Sequence, residues 1–78
     1  IALTLQLGRV YEASGLDREA YNVYRQILDH SPTPPLDAYL LLIRTSKRIG
    51  RELEAQVLME DYLAHGGTRD RLREWDRP

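Results

Sequence analysis

Seventy-eight residues, 42% apolar and 29% charged, suffice for one domain and no more. A formal net charge of -1, with acids and bases interspersed, exerts no global pull toward nucleic acid or a membrane surface. The absence of cysteine removes disulfides and thiol chemistry, and no apolar run approaches the roughly 18 residues of a bilayer span.

The chain opens without a methionine and already inside an apolar segment, as expected of a piece of a longer protein. Ile1, Leu3, Leu5 and Leu7 alternate as a strand would. Leu3, Leu7, Val10 and Tyr11 also fit one helical face, however, and with no second strand to pair with, the segment to Ala13 is predicted helical. Ser14-Gly15 ends it, because glycine takes the left-handed conformation at no steric cost. Asp17 is expected to cap the second helix, which runs to about Asp29. The three prolines of Ser31-Pro-Thr-Pro-Pro35 remove N–H donors and break the chain. Pro34 or Pro35 is expected in the first turn of the third helix, Leu36 to Ile49. Its Tyr39 to Ile43 stretch is apolar nearly all round, which predicts cover on more than one side, by the second and fourth helices. Gly50 closes it as Gly15 closed the first. The fourth helix, Glu52 to Ala64, stops at Gly66-Gly67. Thr68 is expected to cap a short last helix, Arg69 to Asp76, whose Leu72 and Trp75 are expected to pack on the fourth.

Much of this pattern is written twice. Ala20, Val23, Tyr24, Ile27 and Leu28 lie on one helical face, and Ala55, Leu58, Met59, Tyr62 and Leu63 repeat the figure 35 residues later. Gly15 answers to Gly50, Glu19 to Glu54, Leu7 to Leu42 and His30 to His65. A fixed period of this length marks a stacked helical array, in which no unit buries its apolar face alone. Such arrays usually need about three units, so two predict either neighbours or self-association.

Leu7-Gly8-x-x-Tyr11 with Gly15, Ala20, Tyr24 and Pro32 resembles one tetratricopeptide repeat (TPR), with Thr4 where the motif has a bulky aromatic. The second copy keeps Tyr39, Leu42, Gly50 and Ala55 but has Ile43, Ser46 and Gly67 for the small residue, aromatic and proline. The resemblance implies an all-α fold of antiparallel helical hairpins stacked as a right-handed superhelix, an α-solenoid fragment. Its units are repeat 1 at 1-34, a degenerate repeat 2 at 35-67, and a short C-terminal capping helix at 68-78. Gly8 and Ala20 are expected to let the first two helices approach closely.

No catalytic arrangement emerges, and neither a cofactor nor a metal is expected. Asp29-His30-Ser31 holds the residue types of a hydrolase triad, but consecutive residues point in different directions. His30 and His65 end the second helices of their repeats, where a side chain meets free carbonyls. They lack the convergent partners of a zinc site. Gly66-Gly67-Thr68 has neither the preceding strand nor the following lysine of a phosphate cradle. The tyrosines and tryptophan fall at packing positions. Glu60, Asp61, Asp70, Glu74 and Asp76 read as solvated surface carboxylates.

The face left over is Leu5, Arg9 and Glu12 on the first helix and Leu40, Arg44 and Lys47 on the third. In TPR proteins the first helices of successive repeats line a concave groove for an extended peptide or a partner helix, and these residues match its lining positions. The resemblance thus implies a non-catalytic protein–protein interaction module, a segment of a larger scaffold or assembly protein. Its groove would be basic through Arg9, Arg44 and Lys47 and apolar-floored by Leu5 and Leu40, suited to an acidic-hydrophobic segment. Leu5, Arg9 and Leu41 do not supply the Asn and Lys pattern by which some family members hold acidic chaperone tails. The alternative is a structural spacer that self-associates as a homo-oligomer.

Overall fold

A computed structural model of the chain describes residues 4–75. The described residues are all-helical: α1 (Leu5–Ala13), α2 (Asp17–His30), α3 (Leu36–Arg48), α4 (Glu52–Ala64) and α5 (Arg69–Trp75). The expected start of the first helix at Ile1, its Leu3, and the end of the last at Asp76 lie outside the described residues.

Three helices end by one mechanism. Gly15, Gly50 and Gly66 have φ of 77°, 83° and 102°. This left-handed turn folds the next backbone N–H back onto the helix, Leu16 to the Tyr11 carbonyl at 2.8 Å, Arg51 to Ser46 at 2.8 Å and Gly67 to Tyr62 at 2.9 Å. Starts are more varied. Thr4 caps α1, its hydroxyl accepting from the Leu7 N–H at 3.1 Å, and Thr68 accepts from the Arg71 N–H at 3.2 Å as expected. Asp17 does not cap α2. Leu16 holds the cap position with no side-chain bond, and Asp17, one residue inside, turns its carboxylate to Arg48 at 3.4 Å. Pro35 sits at the cap of α3, one residue before the first turn.

Each helix packs on the next: α1 on α2, α2 on α3, α3 on α4. The molecule is 19 Å through its thinnest direction, the depth of two helices. α3 lies between α2 and α4, and its Ala38, Tyr39, Leu40, Leu41, Leu42 and Ile43 are all buried. Ala20 and Tyr24 of α2 and Ala55, Leu58 and Tyr62 of α4 complete the core, with Met59 packed at its edge. At about 25 cal/mol per Å² this shared burial is the main term holding five short helices together. Gly8 faces the ring of Tyr24 so closely that an added methyl would overlap it, which explains the small residue there. His30 and His65 bond the carbonyls one turn back, Gln26 at 2.9 Å and Asp61 at 2.7 Å. α5 packs chiefly on α3, not on α4 as expected: Trp75 lies on Arg44 and Arg71 pairs with Asp37 at 3.5 Å.

Candidate interaction site

α1, α3 and α5 present one common surface. A concavity of about 470 Å³ on it is lined by Arg9, Glu12, Ala13, Arg44, Arg48 and Trp75. Helical period places Arg9 and Glu12 on one side of α1, and Arg44 and Arg48 one turn apart on α3.

Glu12 lies at the base, its side chain only 7% exposed. Tyr24 donates its phenol proton to Glu12 Oε1 at 2.6 Å, Arg44 donates from Nε to Oε2 at 2.9 Å, and Arg48 donates from Nη1 to Oε2 at 3.0 Å. One carboxylate thus ties α1 to α2 and α3 with charge-assisted bonds. Burial and the bond to Glu12 push the Tyr24 phenol well above its ordinary range. The Arg44 guanidinium also lies over the Trp75 ring, 4.6 Å from its centre, a cation–π contact.

The residues expected to line a groove divide. Arg9 is exposed at the rim. Leu5 is half-buried, resting on the core while facing a second concavity with Gln6, Val10 and Asp37. Arg44 and Lys47 are half-buried on α3. Leu40 is not a groove floor: it is 1% exposed and belongs to the core. Glu12, expected as lining, is bound by groups of this chain itself. Arg48 and Trp75 are lining residues that sequence reasoning missed. Arg48 carried a readable signal, one turn beyond Arg44. Trp75 carried none, because its place depends on the direction in which the chain leaves Gly67.

Among the described residues no group of three or more His, Asp or Glu side chains is placed to hold a metal ion, and no helix is long and apolar enough to cross a membrane. Comparison with protein families, with curated proteins and with solved structures finds no match to this chain.

Proposed function

We propose that this chain is a non-catalytic protein-interaction module, two TPR-like hairpins at 1-34 and 35-67 with a C-terminal helix at 68-78, stacked in a right-handed superhelical sense within a scaffold or assembly protein. Its α1–α3–α5 face takes a segment of a partner protein. The observation that supports this most is the gathering of Arg9, Arg44 and Arg48 beside an indole, over a single buried carboxylate. Arg9, Arg44 and Arg48 outnumber the Glu12 and Asp17 carboxylates that they face, which leaves that surface weakly cationic, and the half-buried Leu5 adds an apolar step next to it. An extended or helical segment that alternates carboxylates with apolar side chains complements it: bidentate donors meet the acids and Trp75 meets the apolar groups.

Arg9→Glu tests this without touching the bonds that hold Glu12. A displayed peptide library panned on the wild-type chain should enrich acidic-apolar segments, and the variant should bind the selected peptides about tenfold more weakly. Selection without acidic enrichment, or equal binding by the variant, removes the concave face as the partner surface.

A further inference from the structure

A second surface, separate from the concave face and independent of that reading, lies on α4. It is drawn from the repeat itself. In the first hairpin, Tyr21 and Arg25 of α2 are covered by the next hairpin, reaching Glu54 of α4 at 2.5 Å and 3.4 Å. Counting 35 residues on, the equivalent positions on α4 are Gln56 and Glu60. They are not covered. With Met59 and Leu63 they form one wall of a groove of about 480 Å³, whose other wall is Arg69, Leu72 and Arg73 of α5. Within the chain, the corresponding positions on α2 meet the next hairpin through Glu54.

The outward side of α4 departs from the repeat in the same direction. Arg18 and Asn22 face water on α2, as a solvated helix should. Their counterparts on α4 are Leu53 and Val57, 78% and 56% exposed and one turn apart. Leu53 and Val57 thus add a second apolar strip on α4, with Gln56 and Glu60 between it and the groove residues Met59 and Leu63. α4 also carries four carboxylates, Glu52, Glu54, Glu60 and Asp61, and no Lys or Arg. A helix suited to this groove must be apolar where it meets Met59, Leu63 and Leu72, and acidic where it meets Arg69 and Arg73. α4 itself has that character.

We propose that a second copy of this chain docks here, α4 of each copy lying in the groove between α4 and α5 of the other. The arrangement is self-complementary about a two-fold axis: Glu60 of one copy meets Arg69 and Arg73 of the other, twice, around an apolar centre containing Leu53 and Val57.

Sedimentation of the full chain from micromolar to millimolar concentration should show a mass rising from one chain toward two. Glu60→Arg and Arg73→Glu, both at exposed positions, should each weaken association about tenfold or more by placing like charges opposite one another at both contacts. An equimolar mixture of the two variants should associate more tightly than either variant alone, because in the mixed pair one contact is the wild-type one and the other again brings opposite charges together between positions 60 and 73. Arg9→Glu, on the concave face, should leave the self-association constant unchanged. A wild-type chain that stays monomeric across the range overturns the proposal. So do variants that associate as tightly as wild type, a mixture no stronger than its components, or an Arg9→Glu chain that dissociates.

Discussion

A carboxylate that accepts from a tyrosine and two arginines while 7% exposed, as Glu12 does, sets the behaviour of each of its neighbours. Tyr24 feels this most, being fully buried against it. Its folded-state pKa is raised above the ordinary value of 10.0, first by burial and then by the bond to Glu12. Below pH 10 both folded and unfolded chains hold the phenol proton, and its contribution to stability is complete. As pH climbs past 10 the unfolded chain releases the proton first, so stability falls with rising pH. Tyr21 and Tyr39 are shifted the same way, by burial above all, and add to the slope. Tyr24→Phe should cost about 1.5 kcal/mol at neutral pH through the lost hydrogen bond and should flatten the alkaline decline. Thermal melts of both chains from pH 8 to pH 11 read the two effects separately, and parallel curves would show that Tyr24 does not carry the slope.

At the level of elements, α5 shows how a short helix is held by its neighbour and not by its own sequence. Seven residues are too few to persist alone, so its order comes from Trp75 and Leu72 on the core, the cation–π contact to Arg44 and the pair from Arg71 to Asp37. Exposed as it is, the Arg71–Asp37 pair contributes little. Trp75 therefore dominates. Trp75→Ala should lower stability by about 2 kcal/mol and leave the α5 amides exchanging with solvent deuterium at the rate of an open chain, while α2 to α4 stay protected. Retained protection across Arg69 to Arg73 in that variant would mean that Leu72 alone suffices. The Arg44 guanidinium, released from the indole but still held by Glu12, would keep its place on α3.

For the molecule as a whole, the decisive feature is that α3 serves two contacts at once. Ala38 to Ile43 are buried against α2 on one flank and α4 on the other, so neither hairpin can open without exposing the helix they share. Unfolding is expected as a single transition seen alike by circular dichroism and tyrosine fluorescence. Leu41→Ala, at a site with 0% exposure, should cost about 3 kcal/mol out of a total of roughly 4–12 kcal/mol for a chain of this length. The midpoint should fall by at least about 10 °C with both probes moving together. Two separated transitions would show that the hairpins fold independently. Covering the α4–α5 groove with a second copy would add to this margin and make the midpoint concentration-dependent.

Helix positions, glycine stops and the shared middle helix are legible in the sequence alone, because each rests on local causes: the 3.6-residue period, the left-handed freedom of Gly15 and Gly50, the missing donors of the prolines. The fate of individual side chains is not. Leu40 reads as groove floor through the resemblance to TPR lining positions and becomes core because Tyr39 to Ile43 is covered on several sides at once. Glu12 reads as a groove-lining residue and becomes the tie between three helices through partners at Tyr24, Arg44 and Arg48, the last 36 residues away in sequence. Where α5 lies could be settled only by packing, since Leu72 and Trp75 suit either neighbour and the turn after Gly67 chooses between them. Local periodicity specifies which face of a helix is apolar, but the identity of what meets that face depends on distant segments, whose positions arise only when the whole chain buries its surface together.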